Sequence, residues 1–475
     1  MGCAIVWLRR DLRLADQPAI SAAIERGYLP IPVYIHAPAE EGAWRPGAAS
    51  GAWLDRSLRA LDHDLRELGS RLTVRKGASL VCLRALIAES AAEAVFWNRL
   101  YEPATRARDS AIKQALRSDG VLVESFNAAQ LCEPWTVQTG QGTPYKVFTP
   151  FWRNASAHLE MLAPPTAAPP TLPTPPLLAS LPIDALKLRS PLGWDGEFWA
   201  HWTPGEAGAR ARLDRFIDEA VDRYHDDRNR PDLAGTSGLS AHLHFGEISP
   251  RQCVHALREI EFSPSQRAHA DHFVRELGWR EFSTHLLYHF PHTAEADLNP
   301  KFGSFGWAEP DPDLLSAWQQ GRTGIPIVDA GMRELWQSGW MHNRVRMIVA
   351  SLLTKNLRYH WRHGAAWFWD TLVDADLANN TQGWQWSAGT GADAAPYFRI
   401  FNPVTQGERF DPDGVYVRRW VPELSALPNA IIHSPWSDPT TLARLAPAYP
   451  RRPIVDLRES REAALAAYSA SREKV

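Results

Sequence analysis

The chain has 475 residues, with 51 Lys or Arg against 54 Asp or Glu for a formal net charge of −3. At roughly 100 to 200 residues per domain, that length predicts two or three domains with large cores and excludes a peptide module or a small disulfide scaffold. Hydrophobic residues at 45% and charged residues at 22% exclude a disordered chain, while so even a balance neither announces nor forbids a polyanionic partner.

From Ala4 to about Ser125 short apolar runs alternate with amphipathic segments. The runs at 4–8, 31–35, 72–74, 94–97 and 121–123 read as buried parallel strands, and residues 52–68 and 104–116 carry helical spacing. This is a doubly wound, Rossmann-like α/β pattern, yet RRDLRLAD follows the first strand where a Gly-rich dinucleotide turn would stand. A proline-dense segment runs from Ala163 to Pro176, with Pro182 beyond, and reads as an extended interdomain connector. From Glu206 onward the apolar spacing is helical nearly throughout, ending in a short helical tail. The fold class expected is α/β plus all-α. An α/β domain covers 1–130, a linker that is Pro-rich at 163–182 covers 131–204, and a helical domain covers 205–475.

Cys3, Cys82, Cys132 and Cys253 are far apart and build neither a disulfide framework nor a metal site. No leader precedes the first strand and no run approaches the roughly 18 apolar residues of a membrane span, so a soluble cytoplasmic protein is expected. No Walker A loop, HExxH, GxSxG or kinase signature is present, and His242 with His244 reads as structural.

The informative residues lie in the helical part. In VRELGWREF, Glu276, Trp279 and Arg280 share a helix face, which alone would be an intrahelical ion pair with a core indole. In GWMHNRVRM, Trp340, Asn343, Arg346 and Met347 are expected on one face, where Asn and Arg imply a buried polar group. LVDADLANNTQGWQW places Asp374, Asp376, Asn379 and Asn380 in an apolar context ahead of Trp384 and Trp386. Solvated loop acids are the ordinary alternative, but Arg346 needs a partner, and Asp374 beside an organic ligand supplies one. TSGLS, Thr236 to Ser240, lies ahead of a helix expected to begin near Ser249 and suits either a phosphate or a simple N-cap. A planar cofactor with a phosphate tail fits this indole-lined cluster better than a metal or a nucleophile. Tryptophan is in surplus, 21 residues against 11 Tyr and 17 Phe.

The strings VWLRRDLRLAD, TPYKVFTPFWRN, YHDDRNRPDLAGTSGLS, LGWREF, GRTGIPIVDAGMRELWQSGWMHNRVRM and DADLANNTQGWQW, through to WVPEL and HSPW, resemble the photolyase/cryptochrome flavoproteins over essentially the whole length. The likeness is strongest to bacterial class I cyclobutane pyrimidine dimer photolyases. It implies FAD, active as FADH⁻, folded in a U within the helical domain. Tyr224, Thr236, Ser237, Leu239 and Ser240 would hold its ribityl and phosphate part, and Asn343, Arg346, Asp374, Asp376 and Asn380 the isoalloxazine, with Arg280 also in the cofactor site. Asn380 would face flavin N5, with Asn379 as the other candidate for that place. Trp384, Trp361 and Trp307 would relay electrons to the flavin.

The partner implied is UV-damaged DNA, bound by a monomer. Trp279 and Trp386 would wall a flipped-out pyrimidine dimer, with Met347 beneath, Asn343 and Glu276 hydrogen-bonding it, and Arg228, Arg280, Arg344 and Arg399 on the phosphates. The activity implied is light-driven: the reduced flavin passes an electron to the dimer, the cyclobutane ring opens and the electron returns. A cryptochrome-type blue-light photoreceptor and a six-four photolyase are the alternatives. A folate or deazaflavin antenna is possible in the α/β domain, its identity left open because Ala104 and Thr105 replace the acidic and amide residues that hold a methenyl folate in the best-known relative.

Overall fold

Alternation along the first strand, β1 (Cys3–Leu8), sends Ile5 and Trp7 to one face of a sheet and Ala4, Val6 and Leu8 to the other, and both sets are fully buried. The structure is a computed structural model that describes residues 2–473. β1 is joined by β2 (Leu29–His36), β3 (Thr73–Lys76), β4 (Ala92–Asn98) and β5 (Leu122–Phe126) in an all-parallel sheet of order β3-β2-β1-β4-β5. Pro30 and Pro32 are tolerated in β2 because β3 begins to pair only at Val33. Helices α1 (Pro18–Glu25), α2 (Ala48–Glu67), α3 (Ser79–Ser90) and α4 (Pro103–Ser118) connect the strands. The expected strand and helix runs coincide with these elements to within a few residues, and α1 and α3 are additional.

After α5 (Phe148–Leu159) the proline-dense segment forms no helix or strand. It is tied along the sheet instead of hanging free. The Leu172 N–H donates to Leu68 O at 2.8 Å, the Leu181 N–H donates to Val74 O at 3.0 Å, and the Val74 N–H donates to Ser180 Oγ at 2.9 Å. The edge that β3 would otherwise expose is thereby covered.

The helical part comprises α6 (Glu206–Glu219), α7 (Tyr224–Asp227), α8 (Ser240–Phe245), α9 (Pro250–Arg258), α10 (Pro264–His289), α11 (Pro312–Gln319), α12 (Pro326–Ser338), α13 (Asn343–Ser351), α14 (Trp361–Thr371), α15 (Leu377–Ala388), α16 (Pro403–Phe410), α17 (Val415–Trp420), α18 (Pro439–Leu445) and α19 (Leu457–Glu473). Phe198, Trp202, Phe245 and Val373 share a core with Val6, Leu8, Trp53 and Phe96, which fixes the helical part against the sheet. Among the described residues no helix is long and apolar enough to cross a membrane.

Two expectations on this part are corrected. The helical pattern through GWMHNRVRM is interrupted at Gly339, whose φ of 68° ends α12 in the left-handed region, so Trp340 precedes α13 and does not lie on its face. Thr236 to Ser240 leads directly into the short α8, while the helix expected near Ser249 is the separate α9, closed by a Ser249/Gln252 capping box.

Candidate active site

The turn between α14 and α15 brings the polar cluster together. Arg346 of α13 donates from Nη2 to Asp374 Oδ2 at 2.8 Å and from Nε to Met341 O at 2.7 Å. Asp374 is buried, and its Oδ1 has no partner among the described residues. Such an orphaned carboxylate oxygen marks a place for a donor from outside the chain. Asp376 caps α15, accepting the Asn379 N–H at 2.9 Å and the Asn379 side-chain amide at 2.8 Å. Burial alone would raise the Asp376 carboxyl, but His244 and Arg280 outweigh it and hold the group well below the usual carboxylate range. Asn380 donates to Ala365 O of α14 at 3.0 Å, and no side chain or backbone N–H among the described residues donates to its own carbonyl oxygen.

The TSGLS loop is joined to this cluster through Ser240, whose Oγ accepts the Trp340 indole N–H at 3.1 Å. Ser237 Oγ accepts the Leu239 N–H at 3.4 Å, Thr236 and Ser237 are half-buried, and Leu239 is buried. Tyr224 is buried at the head of α7 against Phe216 and Phe273.

On α10 the three residues expected to share a face do so, and the intrahelical Glu276–Arg280 ion pair that was the ordinary alternative does not form. Glu276 is bound by Arg228, the residue that ends α7, which also bonds His272 Nε2 at 2.8 Å. Arg280 instead donates to Ala129 O at 2.6 Å, beyond the end of the sheet. Burial raises the Glu276 carboxyl above the usual range, an effect that Arg228 opposes without reversing. Trp279 lies flat on Phe148 of α5, ring centroids 3.7 Å apart at 8°, so one indole face is covered by a residue far away in sequence. Nothing in the local pattern around Phe148 announces that contact.

Asn343 is exposed at the first turn of α13, and Met347 and Trp386 are half-buried. Of the four arginines expected on phosphates, Arg228 and Arg280 are engaged as described, and Arg344 donates to Asn229 Oδ1 at 2.7 Å and covers Phe410. Only Arg399 is exposed without a protein acceptor among the described residues. Trp384 is buried against Gly364 and Phe368, and Trp361 is fully buried beside His360, whose ring also lies 5.2 Å from that of Trp307.

A cleft lies outside the carboxyl ends of β1 and β2. Arg9, Arg10, Tyr34, His36, Glu41 and His244 line it. It sits by the point where strand order reverses, the usual ligand crevice of such sheets. Thr105 is buried on α4, its hydroxyl donating to Glu102 O at 3.1 Å. His244 faces both this cleft and Asp376, 3.6 Å away.

A five-stranded parallel sheet packs on a helical part that holds the Arg346–Asp374 pair and the buried indoles of Trp361 and Trp384. Residues 4–174 match the family model of DNA photolyase, and residues 273–470 match the FAD binding domain of DNA photolyase. The chain belongs to the photolyase/cryptochrome family. It is 48% identical to a deoxyribodipyrimidine photo-lyase of Agrobacterium fabrum, over 98% of this chain and 97% of that one. It is 40% identical to cryptochrome-1 of Arabidopsis thaliana, over 97% of this chain and 69% of the longer relative. The crystal structure of a bacterial class III photolyase from Agrobacterium tumefaciens superposes with a TM-score of 0.94 at 46% identity, covering 100% of this chain and 98% of that one. That neighbour is of class III, where the sequence strings had pointed to class I.

Proposed function

We propose that this protein is a light-driven deoxyribodipyrimidine photo-lyase that splits cyclobutane pyrimidine dimers in DNA, working as a cytoplasmic monomer. The observation that carries the reading is the buried Arg346–Asp374 pair with its unpartnered Oδ1, set between the Ser240-bound Trp340 and the capped α15. Those donors and acceptors suit FAD: Tyr224 and the Thr236 to Ser240 loop for the ribityl and phosphate part, and Asn343, Arg346, Asp374, Asp376 and Asn380 for the ring. When bound and reduced, the flavin supplies an electron to the dimer under light and recovers it after the ring opens.

The chain's own residues bind, orient and exclude water. Asn379 is held twice by Asp376, which favours Asn380 as the amide at flavin N5. Trp279, backed by Phe148, presents a rigid apolar wall to a flipped-out base, and base–aromatic stacking of about 1 to 3 kcal/mol per base helps offset unstacking. Glu276 is a hydrogen-bonding carboxyl at that wall, and its raised proton affinity suits donation to a pyrimidine carbonyl. The cleft at the sheet is the place for an antenna chromophore, a folate or a deazaflavin.

The test is illumination of the purified protein with an oligonucleotide carrying a thymine dimer. Recovery of thymine absorbance is expected. Recovery only on a six-four photoproduct reassigns the substrate, and no recovery on either supports a photoreceptor of the cryptochrome kind.

A further inference from the structure

The indole N–H of the fully buried Trp361 donates to Asp297 Oδ1 at 2.8 Å. Asp297 lies in the loop after α10, and α15 pins that loop on both sides of it. Gln385 Nε2 donates to Thr293 O at 2.8 Å and Ala296 O at 3.0 Å, and its Oε1 accepts the Leu298 N–H at 2.9 Å. The other carboxylate oxygen is 3.9 Å from His360 Nε2. His360 Nδ1 accepts the Arg362 N–H at 3.2 Å, so the neutral ring carries its proton on Nε2, toward Asp297. The His360 ring lies 5.4 Å from that of Trp361 and 5.2 Å from that of Trp307, between the two indoles. Trp307 is different: its buried N–H finds no partner among the described residues.

An indole that loses an electron becomes a far stronger N–H acid, comparable with a carboxylic acid. At Trp361 a carboxylate already stands within proton-transfer distance, and at Trp307 no acceptor does among the described residues. Moving the proton turns a buried cation and a buried carboxylate into two neutral groups, which relieves the cost of keeping both charges in the interior.

We propose that Asp297 is the proton acceptor for Trp361 during light-driven oxidation of the indole chain, so that the oxidising equivalent halts at Trp361 as a neutral radical and does not pass to Trp307. The inference rests on the reading of Trp384, Trp361 and Trp307 as an electron path to FAD. One electron leaves Trp361 through Trp384, the photoexcited oxidised flavin being the oxidant. The indole N–H bond breaks, and its proton bonds to Asp297 Oδ1 to give a carboxylic acid and an indolyl radical. A one-electron thiol reductant, with return of the proton, restores both groups.

Transient absorption of the FAD-loaded protein tests this, because neutral indolyl radicals and indole radical cations have distinct visible bands. The neutral band is expected in the unmodified protein, with its rise slowed in D₂O, and is expected to survive Trp307→Phe. Asp297→Asn keeps an acceptor for the indole N–H but cannot take the proton, and loss of the neutral band from Trp361 is expected. Loss of the long-lived radical in Trp307→Phe, an unchanged neutral band in Asp297→Asn, or a rise indifferent to D₂O overturns the proposal while leaving the electron path standing. Absence of any indole radical in the unmodified protein overturns the path itself and the proposal with it.

Discussion

Arg228, the C-cap of α7, and Glu276 of α10 form an ion pair at the candidate lesion pocket, and the same guanidinium nitrogen bonds His272 Nε2 at 2.8 Å. For His272 to accept that bond its ring must be neutral. Burial and Arg228 enforce this by pushing it down to about 4. Arg228 therefore serves the pocket carboxyl, and a phosphate reaching it would have to compete with Glu276.

Glu276→Gln is the first test of that arrangement. The Glu276 proton affinity is raised by burial, so the native state holds the proton more tightly than the unfolded chain does. Its contribution to stability is thus fully present at low pH and is lost as pH rises through the raised value. The glutamine variant should bind dimer-containing DNA with an affinity that no longer varies with pH, measured by fluorescence anisotropy. An unchanged pH profile would remove Glu276 from the titration.

Arg346→Met leaves Asp374 buried with neither oxygen bound. Removing one partner of a buried pair costs about 3 kcal/mol or more, and this site would lose the anchoring of the flavin as well. FAD retention, followed by flavin fluorescence on dilution, should fall by at least about a hundredfold. Asp374→Asn, which keeps the shape and one acceptor, should retain more FAD than Arg346→Met.

The sheet was legible because its strands are buried on both faces and read as unbroken apolar runs, as at Ala4 to Leu8 and Ala94 to Trp97. The absence of helix and strand in the proline-dense segment was legible from proline alone, though not its docking on β3. Within the site, Arg346 with Asp374 could be inferred from charge in an apolar setting. The contacts that escaped are those between distant segments. Glu276 has Arg280 one turn away but pairs with Arg228, because α7 and the Ala129 carbonyl approach α10 from different sides. Phe148 beneath Trp279 lies in the TPYKVFTPFWRN string, which gives no sign of that contact, and Asp297 beside Trp361 comes from a loop whose local sequence carries no motif. Helical spacing runs through Trp340 without registering that Gly339 has already ended the helix.

Gly364 lies against the six-membered ring of Trp384, where a Cβ would overlap the indole. Gly364→Ala must push α14 and α15 apart or rotate the indole, and overpacking of this kind costs about 1 to 3 kcal/mol. A lower Tm is expected, together with slower photoreduction of the flavin, since the same ring is the first in the proposed electron path. A normal photoreduction rate at reduced Tm would separate packing from electron transfer.

Arg399 and Arg280 should respond differently to DNA. Arg399 is exposed, whereas the Arg280 guanidinium is bound to Ala129 O at 2.6 Å. Each phosphate contact contributes about 0.9 to the slope of log K against log salt. Arg399→Ala should lower that slope by about this amount, and Arg280→Ala should leave it unchanged while lowering thermal stability. The opposite pattern would place Arg280 on the DNA.

Glu334 sets a pH dependence of folding that is separate from the pocket. Its carboxyl lies behind α13, accepting the Tyr416 hydroxyl at 2.6 Å and the His342 N–H at 3.1 Å, and burial pushes it up to about 7. Tyr416 and Arg419 from α17, and His342 and Arg346 from the α13 side, are the charged and titratable groups facing it. Because the native state binds this proton more tightly than the unfolded state does, unfolding free energy should fall as pH rises from the ordinary carboxyl value of about 4.3 toward 7. Glu334→Gln keeps an acceptor for both donors and cannot ionise, so its denaturation midpoint should be nearly flat over that interval. A midpoint in the unmodified protein that rises with pH across the same interval would show that the two hydrogen bonds hold Glu334 ionised against its burial.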